Sequence, residues 1–519
     1  MSRFYDPNVI LALAASYDTR GQGDGYAQGI VNGYDQRKVN SMYEPVKNSF
    51  TGRTKLLLKN RPGFSLGQSG GAMASSDACY LVSSISTEAF LLQVYRNGNN
   101  TRGTVGSTSS TITSGAGIYP VYADQTNISG VRETVVQLYN STGANYRAFH
   151  ASSATAWTEI GSNYTSFSLT GKMEHLDGYA FQLDVNNRIR NSSVNSLDLW
   201  GTNDFVTKSQ EQDYPVGMAR LGNVLLAFGR ESAQGYYNAG RKSASPLAPI
   251  KNISAKVGLY APNGGFTNFH NPRNGDRSYY AVVGGRLYFA GDGAGEGIGL
   301  YAFDGSRFEK VSPPSIDKIM QGAIVQSEAG FLNISPLGVY DQPAVVISFN
   351  HPTTSPQRWL MYFPAWNDWF EWNSLAVQPI GDGNRVPGIG TRGSATNLFT
   401  FLTGGNREYA LDGGSIVTVG GSSYTMTHQF KLPKEDNGKA RMDFLGLVGD
   451  TALDNANANV STSLSYDGYS TFTYAGAINM SGQDKSLSRL GAFKECEVGL
   501  EYSGSTQIRL EKLIGRVRK

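Results

Sequence analysis

Residues 280–308 read as two hairpins in a row, and no other stretch restricts the fold of this chain as tightly. Tyr280-Ala281-Val282-Val283 and Arg286-Leu287-Tyr288-Phe289 flank Gly284-Gly285, and Leu300-Tyr301-Ala302-Phe303 and Ser306-Arg307-Phe308 flank Asp304-Gly305. Gly-Gly and Asp-Gly supply the positive φ of a two-residue turn whose twist matches its strands. The stretch therefore predicts a four-stranded antiparallel sheet, the unit of a propeller blade. The pattern recurs in residues 176–240, where Tyr179, Phe181, Leu183 and Val185 alternate, Asn186-Asn187 turns the chain and a strand resumes at Ile189. Val224-Leu225-Leu226-Ala227-Phe228, between Gly222 and Gly229, is a continuous apolar run of the kind buried on both faces. Looser copies at residues 89–95 and 134–139 run through a Ser-, Thr- and Gly-rich region, with turns at Asn97-Gly98 and Thr142-Gly143.

Together these signals predict a mostly β chain built on a β-propeller of about six blades with an additional β domain or platform. Residues 1–63 are expected to form an N-terminal arm and the first strands, 64–422 the propeller, and 423–519 a C-terminal β region that completes the propeller or forms a platform. Within that last region strands are expected at 442–448, 460–466, 472–475, 496–502 and 508–513. Gly at 62 residues and only 17% charged residues suit many short strands joined by tight turns. Residues 16–35 are polar and Gly-rich, an arm before the first packed element. The apolar run at 9–15 reads as a strand or helical turn, because Asp6 and Asp18 flank it and no strong basic segment precedes it. No run approaches membrane-spanning length, so the expectation is a soluble chain folding in a cytoplasm. Cys79 and Cys496 lie too far apart for metal spacing or a disulfide scaffold; a single bridge between the halves is left open.

The chemical signals are sparse. Net charge is +3, so no global field draws nucleic acid or anionic membrane, and local patches must carry any such role. His150, His175, His270, His351 and His428 stand in separate segments without HxH or HExxH spacing and read as surface or loop residues. In the Gly-rich run 291–297, Asp292 and Glu296 are too few to hold a divalent ion, and no nucleotide motif is present. The reading is therefore no catalytic residue, no cofactor site and no metal site, and a chain that is not an enzyme. The aromatic cluster Trp359, Tyr362, Phe363, Trp366, Trp369, Phe370 and Trp372 suits a blade core better than a sugar-stacking surface, because it alternates along strands. Residues 465–472 approach the Asp-box hairpin S-x-D-x-G-x-T-W, departing at Tyr469 and Phe472; the aspartate of such a box stabilises a turn and does no chemistry.

Positive charge concentrates in two places. From residue 37 to 61, Arg37, Lys38, Lys47, Arg53, Lys55, Lys59 and Arg61 surround Leu56-Leu57-Leu58, either as guards of an edge strand or as a docking patch. At the C-terminus, Arg509, Lys512, Arg516, Arg518 and Lys519 stand beside Leu510, Leu513, Ile514 and Val517, with Glu511 as the acid. That mixture predicts a partner-docking tail whose attraction weakens with salt.

Three stretches, in order along the chain, resemble the tail nozzle proteins of short-tailed phages (podoviruses), also called tail accessory factors or packaged-DNA stabilisation proteins. The first runs from Val39-Asn40 to Leu56-Leu57-Leu58-Lys59-Asn60-Arg61-Pro62-Gly63. The second runs from Leu221 through Val282-Val283 to Pro313-Pro314-Ser315-Ile316-Asp317-Lys318-Ile319. The third joins the 465–472 hairpin, Arg489-Leu490-Gly491 and the closing strand 507–513. The region 65–170 and the Gly-rich run 291–297 depart from the family pattern. The resemblance implies a structural virion protein: a homohexameric ring below the portal-bound adaptor that extends the DNA channel, retains the packaged genome and guides its ejection. It implies contacts with the adaptor, tailspikes or fibres, and a needle or plug. It also implies passage of double-stranded DNA without sequence-specific binding, no membrane span, and location in the virion tail after assembly in the bacterial cytoplasm. The alternative is a carbohydrate-binding or glycosidase-like propeller acting on host surface glycans, which needs paired acids or a Tyr nucleophile at one mouth of the propeller.

Overall fold

The computed structural model describes, with short gaps, residues 37–66, 92–208, 213–260, 280–349, 358–373 and 425–518, and beyond these the isolated strand segments at 9–12, 79–82, 389–391, 398–402, 407–411, 418–419 and 422–423. Strands take up 71% of the described residues and helices 4%. The chain divides into two compact units: one formed by residues 1–65, 356–377 and 411–519, the other by 66–355 and 378–410.

The larger unit is a succession of antiparallel sheets, each made of strands consecutive in sequence. The first comprises Cys79–Val82, Leu92–Asn97, Asn100–Val105 and Thr108–Ser114, and the second Ile118–Ile128, Val131–Asn140, Asn145–Ala151 and Thr158–Glu159. The third comprises Leu169–Leu176, Tyr179–Asp184, Arg188–Ser192 and Trp200–Thr207, and the fourth Pro215–Leu221, Val224–Gly229, Ala233–Asn238 and Leu247–Ala255. In the fifth, Val257–Leu259 and Tyr280–Val283 share one edge of Arg286–Gly293, followed by Gly297–Phe303 and Phe308–Lys310. The hairpin Leu332–Val339 with Gln342–Phe349, and the group Ile389–Thr391, Leu398–Leu402 and Arg407–Leu411, supply a sixth and a seventh set of strands.

The opening strands of neighbouring sets lie against one another in order. Ile118–Ile128 packs on Cys79–Val82 and on Leu169–Leu176, which packs on Pro215–Leu221, and that strand on Arg286–Gly293. Tyr280–Val283 then meets Leu332–Val339, which meets Ile389–Thr391, and Ile389–Thr391 returns to Cys79–Val82. Apolar side chains fill the spaces between sheets. Val135, Tyr146, Tyr164, Met173 and Trp200 pack together between the second and third, and Phe181, Leu183, Ile189, Met218 and Leu225 between the third and fourth. Gly171 and Gly217 allow a close approach between the third and fourth sheets: a Cβ on Gly171 would stand 2.5 Å from the Cα of Gly217. The turns form as their residues dictate, with Gly284 and Gly285 at φ 57° and 76° and Asn187 at 59°.

Two helices interrupt the mostly β pattern, a short one at Ser162–Ser166 and a longer one at Pro314–Gln326. The helix Pro314–Gln326 packs on Gly297–Phe303 and places Asp317 in its first turn, where Ser312 and Lys310 hold the carboxylate.

Most of the described strands in the unit that holds both chain ends fall in two sheets. One runs, in spatial order, Arg358–Phe363, Asp368–Asn373, Arg37–Val39, Met426–Lys431, Glu497–Tyr502, Asn459–Ser465 and Thr473–Asn479; Arg37–Val39 pairs parallel with Asp368–Asn373. The other runs Ser41–Lys47, Thr54–Asn60, Ile508–Arg518, Ala440–Thr451 and Ser486–Phe493, with Val9–Ala12 pairing the distal half of Ile508–Arg518. Trp359, Trp369 and Trp372 are buried to 3% exposure or less, so most of the aromatic cluster is core, and it lies in this unit.

Candidate functional site

In the larger unit the opening strands of four successive sheets bring ionisable groups together. Asp124 comes from Ile118–Ile128, Lys172, Glu174 and His175 from Leu169–Leu176, Arg220 from Pro215–Leu221, and Tyr280 from Tyr280–Val283. The cause is local. The register of Leu169–Leu176 against Tyr179–Asp184 shifts between Thr170 and Glu174, and Gly171 turns to φ 66°, so the bulge lifts Gly171, Lys172 and Met173 out of the ladder and Glu174 rejoins it opposite Phe181. The backbone groups freed by the bulge find buried amides. Gln182 Nε2 donates to the Gly171 carbonyl at 2.8 Å, and the Met173 N–H donates to Gln137 Oε1 at 3.2 Å. Tyr164 ties the two amides together, accepting from Gln137 at 3.0 Å and donating to Gln182 at 2.6 Å. This network fixes the bulge.

Tyr280 donates its hydroxyl proton to Glu174 Oε1. Lys172 Nζ stands 3.9 Å from that oxygen and 3.6 Å from the centre of the Tyr280 ring. Burial pushes the Glu174 carboxyl up to about 8, Lys172 opposing the shift, and burial also lowers the Lys172 ammonium. Arg220 donates to the His175 carbonyl at 2.5 Å, while the His175 ring is buried without a hydrogen-bond partner and pushed down to about 4 by desolvation. A tyrosine and a carboxylic acid therefore share a proton donor and acceptor, but on strands, at 8% and 6% exposure, with each other as partners.

The histidines correct the sequence expectation. His175 and His428 are buried on strands, because each replaces an apolar residue between packed sheets; His428 falls well below its ordinary pKa through burial and the Lys38 ammonium. His150 bridges Glu133 and Asp198, the latter at 3.2 Å. His270, His351 and Glu296 lie outside the described residues. Cys496 is a free buried thiol, pushed up to about 12 by desolvation.

Both cation-rich segments are built into sheets. Lys38 is fully buried against Asp368, and Arg61 donates to Asn40 Oδ1 at 3.0 Å and lies over the Trp372 ring. The expected docking tail is a strand as far as Arg518: Ile508–Arg518 pairs along its length with Ala440–Thr451. The apolar residues Leu510, Leu513 and Val517, expected as partner anchors, are core at 0%, 0% and 8% exposure. Arg509 is held by Glu44 at 2.6 Å, Lys512 and Arg516 are half-buried, and Lys519 lies outside the described residues. The 465–472 hairpin behaves as an Asp box does: Asp467 accepts from Ser465, from the Thr471 N–H at 2.9 Å and from the Thr471 hydroxyl at 2.6 Å, which hold its carboxyl at about 2.

Among the described residues no cluster of His, Cys, Asp and Glu could hold a metal ion, and no helix is long and apolar enough to cross a membrane. No protein-family model and no curated protein matches the chain. Among solved structures it is similar to the computationally designed Ika8 protein, with TM-score 0.36, 7% identity, and coverage of 68% of this chain and 100% of that one. It is similar to the N-terminal domain of Nup159, with TM-score 0.36, 10% identity, and coverage of 72% and 98%. A chain of the mitotic checkpoint complex gives TM-score 0.35, 11% identity, and coverage of 72% and 98%. Similarity at this level carries no argument about fold or function.

Proposed function

We propose that the chain is a structural virion protein, a tail nozzle subunit of a short-tailed phage. It forms a homohexameric ring below the portal-bound adaptor, extends the DNA channel, retains the packaged genome and guides its ejection. It meets tailspikes or fibres and a needle or plug, and works in the virion tail after assembly in the host cytoplasm. One observation carries the reading: the first and third of the stretches that suggested the family, far apart in sequence, meet at one junction. The Arg61 N–H donates to the Asn40 carbonyl at 3.0 Å, and the Ile508 N–H to Asn60 Oδ1 at 3.1 Å. Asn40, at φ 53°, donates its side-chain amide to the Thr425 carbonyl at 2.8 Å. Val39-Asn40, Asn60-Arg61 and the closing strand thus act as one lock, which gives their joint occurrence a physical reason.

In this reading the larger unit is a β-propeller of about seven blades, one more than the sequence pattern suggests. The support is the order of contacts between successive sets of strands, each set against the next and the last against the first. A glycosidase-like propeller would use Tyr280 and Glu174, yet both are buried on strands rather than set on loops at a mouth. Electron microscopy of the purified chain, alone and bound to a portal–adaptor complex, tests the proposal. A six-fold ring on the adaptor is expected. A monomer that ignores the adaptor and hydrolyses a cell-surface glycan, with Glu174→Gln abolishing turnover, would overturn it.

A further inference from the structure

In the unit that holds the chain termini, Lys38 and Asp368 meet with both side chains wholly buried. Arg37–Val39 lies parallel to Asp368–Asn373, which sets the two residues on neighbouring strands although 330 positions separate them. Hydrogen bonds close a triangle around them. Lys38 Nζ donates to Asp368 Oδ2 at 2.5 Å and to Tyr43 Oη at 2.7 Å, and Tyr43 Oη donates to the same Oδ2 at 2.5 Å. The other carboxylate oxygen, Oδ1, accepts the Trp369 N–H at 2.7 Å. Aromatic rings enclose the triangle: Tyr43 packs edge-on against Phe370, centroids 4.9 Å apart, and against Trp366 at 5.3 Å.

We propose that Lys38 and Asp368 condense into an intramolecular isopeptide bond once this unit has folded. A nitrogen hydrogen-bonded to one carboxylate oxygen stands about 3–3.5 Å from the carboxyl carbon, a near-attack separation. Nζ attacks Cγ; the Nζ–Cγ bond forms and the Cγ–Oδ2 bond breaks. Of the ammonium protons, one stays on the amide nitrogen and the others leave with Oδ2 as water, so nothing is oxidised or reduced and no co-reactant enters. Tyr43 relays a proton, its hydroxyl accepting from Nζ and passing its own proton to Oδ2. The Trp369 N–H holds Oδ1 as negative charge develops there. Burial of both charges favours the neutral amine and acid from which attack starts. Fixed proximity stands in for an enzyme, since well-oriented intramolecular reactions reach effective molarities of about 10⁵ M and above. A second triangle, Lys208 with Asp213 and Ser232, is connected alike in the larger unit, but the Asp213 side chain is 17% exposed and hydration keeps it an ion pair.

The test is the intact mass of the purified full chain after denaturation, which is expected to fall short of the sequence by a single water molecule. Trypsin should then release a branched fragment joining residues 38–47 to 359–385, because an acylated Lys38 is no longer a cleavage site. Lys38→Met is expected to restore the full mass. Tyr43→Phe keeps the reacting groups and is expected to slow the loss of water from newly made chain by about a hundredfold or more. The wild-type measurement stands whether or not the variants fold. A wild-type chain at full sequence mass would overturn the proposal. So would a deficit that persists in Lys38→Met, which would place the lost water in a cyclised Asp-Gly turn such as Asp304-Gly305.

Discussion

Each unit buries a lysine, a carboxyl group and a tyrosine together, and the two trios are wired differently. In the unit that holds the termini, Asp368 Oδ2 accepts from Lys38 Nζ and from Tyr43 Oη, both at 2.5 Å, and Oδ1 accepts the Trp369 N–H at 2.7 Å. The rings of Tyr43 and Phe370 lie 4.9 and 5.2 Å from Lys38 Nζ. In the larger unit Glu174 has the Tyr280 hydroxyl, and its lysine stands off at 3.9 Å. The first acid sits on a strand laid directly beside the strand of its lysine, so register forces contact. The second depends on a bulge and on a tyrosine from another sheet. The same three groups thus make an ion pair where donors converge, and a carboxyl that keeps its proton at neutral pH where they do not.

The largest expected effect tests how firmly the first arrangement is framed. Deleting residues 514–519 removes ladder partners of both Ala440–Thr451 and Val9–Ala12, along with the buried Val517. Hydrogen exchange should show the terminal unit unprotected. A protected, folded unit would restore the picture of a dispensable tail. Next comes Asp368→Asn, which leaves the Lys38 ammonium buried without its counter-ion and should cost about 3–5 kcal/mol by chemical denaturation. A cost under about 1 kcal/mol would show that the convergent donors do not hold a charged pair.

The smallest effect is the most specific to the second trio. Glu174 titrates near 8 in the folded chain against about 4.5 unfolded, so the folded state binds more protons between these values. Its stabilisation is complete below about 4.5 and is lost as pH rises through about 8. His175 runs the other way: held near 4, it favours the neutral form, and its contribution is lost as pH falls from about 6.5 through about 4. Between about 4.5 and 6.5 the two slopes oppose and cancel, so stability of the larger unit should be level there and fall from about pH 6.5 to about 8. Glu174→Gln should remove that fall, a slope of at most about 1.4 kcal/mol per pH unit, and expose the His175 loss of stability as pH drops below about 6.5. Thermal midpoints measured from pH 5 to 9 decide it; a variant that keeps the alkaline decline would place its cause elsewhere.

The hairpins were legible because their turns are written in adjacent residues. Asn187, Gly284 and Gly285 adopt the positive φ that their side chains suggest, and the apolar run at 224–228 is buried as a central strand should be. The bulge at Gly171 to Met173 was not legible. Its partners, Gln137 and Gln182, belong to other strands, and nothing near residue 171 announces them. The buried trios were hidden for the same reason: Lys38 meets Asp368 across 330 positions, and both read locally as surface charges. The helix at 314–326 did leave a signal in Ser312, Pro313-Pro314 and Asp317, which was read only as part of a resemblance. The extension of the closing strand to Arg518 was masked by its cations, which lie on the outward face of alternating positions.

The pairing of Val9–Ala12 with Ile508–Arg518 sets a schedule for synthesis. Every strand of the larger unit leaves the ribosome before the final strand exists, so that unit can fold while translation continues. The terminal unit waits, because Val9–Ala12 and the free edge of Thr54–Asn60 find their neighbour only when residues 508–518 emerge, on the order of tens of seconds later at typical elongation rates. A chain that stops before residue 508 lacks the strand that joins 54–60 to 440–451. Translation of residues 508–518 thus becomes a condition for completing that unit.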